Sequence, residues 1–213
     1  MKIDLLLFDI DGTILDSSED IVEAANITLE KFGYNKQTKS QIIGCVGNGL
    51  DAFMGCMVKK ATPALLKKFQ ITFSQVLEYQ NDKNAIVYDG VKDVLSFFKH
   101  KKKGIITNRS HSFVMSTLKN TGLCKFFDFI SGVDVKEKVK PSPLAIENAL
   151  KFFKIKKNKT MMIGDMNIDI QAGKNAGVYT CAVSYGLGSK KDLLKEKPDF
   201  FIDNIMELKK III

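Results

Sequence analysis

Between residues 17 and 85 the sequence offers no β-strand, and on both sides of that gap short apolar runs alternate with amphipathic stretches. This interrupted rhythm restricts the fold more than any other feature, because hydrophobic periodicity is the main determinant of element type. Upstream, residues 2–8 (KIDLLLF) are too short and too apolar for a surface helix and read as a buried strand. Downstream, strand-like runs at 104–106, 129–131, 160–163, 179–184 and 199–202 are separated by helical stretches at 91–101, 112–120, 143–153, 168–176 and 190–195, with a last helix near 205–209. Strands spaced by single helices imply right-handed crossovers, and therefore an α/β class fold: a Rossmann-like parallel sheet core with helices on both faces. Inside the gap, SSED at 17–20 caps a helix that Gly33 stops, and two short helices at 38–46 and 50–60 flank Gly47, Asn48 and Gly49. Thr62 then caps a helix with Pro63 at its first position, running to about residue 80. The expected organisation is a core of residues 1–15 and 86–213, with a small all-helical cap domain of residues 16–85 inserted after the first strand.

Composition removes several classes of function. With 213 residues, 45% hydrophobic and 26% charged, the chain buries a sizeable core, which excludes intrinsic disorder. Apolar runs such as LLLF fall far short of the roughly 18–20 residues that span a bilayer. Acidic residues at Asp4, Asp9 and Asp11 interrupt any secretory leader. No membrane partner is expected. The four cysteines form no C-x-x-C pair and no zinc spacing, and their apolar neighbours suit reduced core thiols in a cytoplasmic protein. The formal charge is +8, yet Arg109 is the lone arginine among 32 basic residues. Base and phosphate readers rely on arginine forks, so no nucleic-acid partner is expected, only a mild pull on an anionic metabolite. Monomer and homodimer both stay open.

Ligands of open parallel sheets collect at the carboxyl ends of the strands. After the first strand comes FDIDGT, with Asp9 and Asp11 two residues apart; after the second, TNRS, with Thr107 and Asn108. The segment after the third carries Lys140 in VKPSP, and after the fourth GDMNID supplies Asp165 and Asp169. Each has a bland alternative: DxDG as turn chemistry, Asp165 as a helix cap, Lys140 as a loop lysine. Their convergence on one crevice outweighs those readings. Several carboxylates so close raise one another's pKa, and a hard divalent cation such as Mg2+ relieves the conflict. Histidine and cysteine are missing from the strand ends, which leaves Asp9 as a nucleophile toward phosphorus and Asp11 as acid and base. Thr107 and Lys140 then stabilise charge on the transferring group. A phosphoacceptor signalling module of the receiver type combines similar residues, but the cap and Asp11 favour hydrolysis.

FDIDGT, TN, VKPSP and GDMNIDIQAGKNAG resemble, in order and spacing, the four motifs of the haloacid dehalogenase-like hydrolase superfamily, and the resemblance covers essentially the whole chain. It implies Asp9 as nucleophile, Asp11 as general acid and base, and phosphate binding by Thr107, Asn108 and Lys140. It further implies Mg2+ held by Asp9, the backbone carbonyl of Asp11, and Asp165, with Asp169 supporting the metal site. Within the superfamily the chain is most similar to the phosphoglycolate phosphatase group. The turn at Gly47, Asn48 and Gly49 resembles that group's substrate-specificity loop, and YDGV at 88–91 its hinge. The implied reaction is Mg2+-dependent hydrolysis of a small phosphomonoester, 2-phosphoglycolate first. Pyrophosphatase, nucleotidase and sugar-phosphate mutase are the alternatives. The group more often has lysine where this chain has Arg109.

Overall fold

A computed structural model describes residues 1–46, 49–133 and 136–213. Among these described residues eight strands and ten α-helices follow in chain order: β1 (Leu5–Phe8), β2 (Leu15–Asp16), α1 (Ser18–Lys31), α2 (Lys39–Ile43), α3 (Gly49–Met57), α4 (Pro63–Gln80), β3 (Ile86–Val87), α5 (Val91–Phe97), β4 (Lys102–Ile106), α6 (His111–Asn120), β5 (Phe129–Ser131), α7 (Leu144–Phe153), β6 (Thr160–Gly164), α8 (Asn167–Ala176), β7 (Tyr179–Val183), α9 (Lys190–Lys195), β8 (Phe200–Ile202) and α10 (Leu208–Ile211).

Six strands form one sheet in the order β5-β4-β1-β6-β7-β8, every neighbouring pair parallel. The α/β, Rossmann-like class expected of the sequence is the class observed. LLLF is apolar throughout because both faces of its strand are covered. Leu6 and Phe8 pack with α5 and α6 residues such as Val94 and Leu118, while Leu5 and Leu7 pack with Ile146, Ala149 and Ala172 of α7 and α8. Alternate side chains of one strand thus feed two separate cores. The strand order turns at β1, which puts it between β4 and β6. That is where a crevice opens at the carboxyl edge.

Helices α1 to α4 enclose a third core, with Ala25, Leu29, Ile42, Met54 and Phe69 fully buried. Phe32 stacks on Phe69 at a centroid distance of 4.3 Å. Thr38 and Thr62 cap α2 and α4 through their side chains. The helical set joins the sheet through a ribbon that periodicity does not foretell: β2 and β3 pair antiparallel, Leu15 opposite Val87 and Asp16 opposite Ile86. Strands of two residues have no period to read.

Two local expectations need correction. Ser17 occupies the N-cap position of α1, but its side chain does not cap the helix; it donates to Asp11 instead. Cys45 and Cys56 are not reduced thiols: they form a disulfide with a Cα–Cα distance of 5.6 Å. The packing of α2 and α3 into one core brings residues 11 apart in sequence within bridging reach, a proximity that motif counting cannot see. Cys124 and Cys181 are free. Among the described residues, no helix is long and apolar enough to cross a membrane.

Candidate functional site

The loops after β1 and β4 extend their strands by one residue and so hold their side chains in register. The Asp9 N–H donates to the Ile163 carbonyl at 3.0 Å, and the Thr107 N–H to the Ser131 carbonyl at 3.1 Å. Asp9, Thr107, Lys140, Asp165 and Asp169 are all buried. Lys140 stands between two carboxylates, its Nζ 2.7 Å from Asp9 Oδ1 and 2.6 Å from Asp169 Oδ1. Asn108 fixes the lysine's backbone: its Oδ1 accepts from the Lys140 N–H at 2.8 Å, and its Nδ2 donates to the Lys140 carbonyl at 3.4 Å. Thr107 Oγ1 accepts from the Arg109 N–H at 3.3 Å.

Asp165 is held from three directions. Thr13 Oγ1 donates to its Oδ1 at 2.9 Å, and the N–H groups of Leu187 and Gly188 donate to Oδ2 at 2.8 and 3.3 Å. The first loop passes so close that a Cβ on Gly12 would sit 2.0 Å from Asp165 Oδ2, and Gly12 has φ +76°. Only glycine meets both conditions. Asp169 Oδ2 accepts from the Met166 N–H at 3.0 Å, at the start of α8.

Asp9, Asp165 and Asp169 each present a carboxylate oxygen, and the three oxygens lie within 4.8 Å of one another. Asp9 is buried, and its Oδ1 faces the Lys140 ammonium. An all-oxygen cluster of three buried carboxylates with one lysine between them suits a hard cation such as Mg2+. The electrostatics agree. Burial, joined by the charges of Asp169 and Asp11 and opposed by Lys140, pushes the Asp9 carboxyl up to about 7. Burial and the charges of Asp169 and Asp9, opposed by the hydrogen bonds from Thr13 and Leu187, push Asp165 well above the ordinary carboxylate range. A cation at this cluster would reverse both shifts.

Asp11 behaves differently. Burial acts to raise its pKa, but the charge and hydrogen bonds of Arg109, helped by Ser17, hold it below the ordinary value. Arg109 Nε donates to Asp11 Oδ2 at 2.7 Å and its second terminal nitrogen to Asp11 Oδ1. The arginine is itself buried and faces Asp82 on its other side. Sequence reasoning noticed the place of Arg109 but not its partners, and it missed Thr13, Ser17 and Asp82. Only Thr13 had a local signal, as the residue after DxDG. Asp16 Oδ1 accepts from the Ser18 N–H at 3.0 Å. Both histidines are exposed.

A cavity of about 360 Å3 opens over Asp9, Thr107 and Lys140, roofed by Ile21 of α1, Phe53 of α3, and Phe73, Leu77 and Glu78 of α4. Of the turn expected to select substrate, Gly47 and Asn48 lie outside the described residues, and Gly49 opens α3.

The family model described as haloacid dehalogenase-like hydrolase matches residues 6–183. A protein named pyrophosphatase PpaX from Halalkalibacterium halodurans is 32% identical over 215 residues, covering 100% of this chain and 98% of its own. A phosphoglycolate phosphatase from Vibrio cholerae is 29% identical over 221 residues, covering 100% and 98%. Among solved structures, a haloacid dehalogenase-like family hydrolase from Streptococcus pneumoniae superposes with a TM-score of 0.88 at 23% identity, covering 98% of each chain. That last likeness is one of fold.

Proposed function

The chain belongs to the haloacid dehalogenase-like hydrolase family, and on that premise we propose that it is a Mg2+-dependent phosphatase acting on a small phosphomonoester through an aspartyl-phosphate on Asp9. One observation supports this above the rest: a buried carboxylate at the end of the central strand, paired with a buried lysine and clustered with two further acids. Two anions approach each other only where positive charge is already in place. Lys140 supplies part of it. Mg2+, held by Asp9, the Asp11 backbone carbonyl and Asp165 with Asp169 in support, would neutralise the phosphate and keep Asp9 ionised.

In the first step an Asp9 oxygen bonds to phosphorus while the bond from phosphorus to the leaving oxygen breaks. Arg109 keeps Asp11 ionised in the unliganded site, so Asp11 takes up a proton on substrate binding and gives it to that oxygen. In the second step Asp11 takes a proton from water as the water oxygen attacks phosphorus. The bond from phosphorus to Asp9 then breaks, returning the carboxylate and inorganic phosphate. Thr107, with backbone N–H groups of its loop, and Lys140 bind the phosphoryl oxygens throughout. The helical set of residues 16–85 acts as a cap that closes over the cavity and shields the intermediate from bulk water.

For the substrate, 2-phosphoglycolate is the first reading, supported by the motif resemblance and by the relative from Vibrio cholerae. Pyrophosphate is the second, favoured by the similarity to proteins named pyrophosphatase PpaX. A Mg2+-dependent hydrolysis panel of phosphoglycolate, pyrophosphate, nucleotides and sugar phosphates separates them. Asp9→Asn abolishes turnover of whichever is hydrolysed. Wild-type turnover by Asp9→Asn, or full activity in EDTA, would refute the chemistry.

A further inference from the structure

Arg109 holds two carboxylates that come from different segments, Asp11 after β1 and Asp82 after α4. Its Nε and one terminal nitrogen grip both oxygens of Asp11, in the loop after β1. Its other terminal nitrogen donates to Asp82 Oδ2 at 2.7 Å and to Thr117 Oγ1 at 2.9 Å. The Thr117 hydroxyl also donates to Asp82 Oδ2, and the Phe113 ring centroid lies 4.4 Å from the guanidinium carbon. Ser17 occupies the remaining direction of Asp11 Oδ1. The side chains of Arg109 and Asp82 are 5% and 0% exposed and that of Asp11 22%, so these contacts are screened less than pairs on the open surface.

Asp82 is carried by the segment that leaves α4. Asn81 and Asp82 both adopt left-handed backbone, φ 52° and 53°, which ends the helix and turns the chain back toward the sheet. The same helix presents Phe73, Leu77 and Glu78 to the cavity. A continuous path therefore runs from the wall that meets the leaving group, through Asp82 and the guanidinium, to the Asp11 carboxylate. A lysine could not replace this link, because a single ammonium lacks the planar fork that serves two carboxylates at once.

We propose that Arg109 is a positioning residue that couples the seating of α4 on the sheet to the orientation of the Asp11 carboxylate, so that Asp11 is aimed for proton transfer only while Asp82 is docked. This rests on the proposed acid and base role of Asp11. It makes Arg109 important for the proton delivered to the leaving oxygen and unimportant for the attack by Asp9.

Two substrates separate those steps. 2,4-Dinitrophenyl phosphate releases a phenolate that needs no proton, and its pre-steady-state burst reads the attack alone. 2-Phosphoglycolate releases an alkoxide that needs one. Arg109→Lys should lower kcat on phosphoglycolate about tenfold or more with KM within about threefold, and leave the burst rate within about threefold. Asp82→Asn should act in the same direction. In the double variant the losses should not multiply, because Asp82 acts through Arg109. Equal loss on both substrates, a loss confined to KM, or multiplicative losses would overturn the proposal. A readout without turnover is amide hydrogen exchange: Asp11→Asn should speed exchange at residues 81–86 several-fold, by releasing the far end of the bridge. Unchanged exchange there would equally overturn it. If wild-type protein hydrolyses no phosphate, the proposed function fails, while the exchange comparison still decides whether the bridge couples α4 to Asp11.

Discussion

Replacing Lys140 by methionine tests the electrostatic account of the site without relying on any substrate. The lysine side chain is 2% exposed and lies within 2.7 Å of both Asp9 and Asp169. Methionine keeps much of its length and apolar stem while removing the charge. Deleting one partner of a buried ion pair costs about 3–5 kcal/mol, because the surviving charge stays buried and uncompensated. Here two carboxylates lose the same cation. A loss of that size is a large part of the roughly 5–15 kcal/mol that stabilises an ordinary domain. The loss should depend on pH in a definite sense. The folded Asp9 carboxyl titrates at about 7, above its ordinary 3.8, so through this window the native state holds a proton that the unfolded chain has released. Stability from this group is therefore present at low pH and falls as pH rises toward 7. Without Lys140 the opposing influence on Asp9 disappears and the penalty for ionising it grows. Urea denaturation in EDTA should show Lys140→Met about 3–5 kcal/mol less stable than wild type at pH 7.5, with a clearly smaller gap at pH 5.5. Mg2+ at 100 times its dissociation constant adds about 2.7 kcal/mol to any protein that binds it only when folded. The variant, whose acids lack their ammonium, should gain more from Mg2+ than wild type does at equal concentration. A gap under about 1 kcal/mol at pH 7.5, or one that does not change with pH, would refute the assignment of Lys140 as the counter-charge of this cluster.

Three further outcomes follow from particular contacts. Gly12→Ala places a methyl group 2.0 Å from Asp165 Oδ2 at φ +76°, so it should cost about 1–3 kcal/mol and weaken the Mg2+-induced rise in Tm; an unaltered Mg2+ response would show that Asp165 does not hold the ion. Phe69→Ala removes a fully buried ring that stacks on Phe32, and should cost about 3–5 kcal/mol by urea denaturation, with the loss of exchange protection concentrated in α1 to α4; a loss spread evenly over the sheet would show that the helical set has no stability of its own. Asp165→Asn removes a buried acid whose own carboxyl is pushed well above the ordinary range by burial, Asp169 and Asp9, so the stability lost in EDTA between pH 5 and 7.5 should shrink; an unchanged slope would show that Asp165 does not titrate with this cluster.

Much of the arrangement is legible in the chain because its signals are local. LLLF followed by DxDGT marks a doubly covered strand that ends in a tight turn, and Thr62-Pro63 marks a helix start, without reference to any distant residue. The four acids, Lys140 and Thr107 are legible together because parallel strands deliver their carboxyl ends to one edge whatever the loops contain. What stays hidden depends on contacts that no hydrophobic period or capping rule encodes. Ser17 reads as a helix cap and turns instead toward Asp11, six residues earlier. Asn108 resembles a phosphate ligand, while its side-chain amide is engaged with the Lys140 backbone.

The order of strands and helices, the apolar faces and the identity of the acidic loops belong to the sequence itself, because hydrophobic period, capping chemistry and turn residues act over a few positions. The tertiary structure alone decides which charges meet. Asp11 and Arg109 are 98 residues apart, and Arg109 and Asp82 27, yet one guanidinium joins all three. It also decides that Cys45 reaches Cys56, and that Asp9 sits high while Asp11 sits low on the pKa scale. Both residues occupy the same short motif, and their difference comes from burial and from neighbours supplied by other loops, which no local pattern encodes.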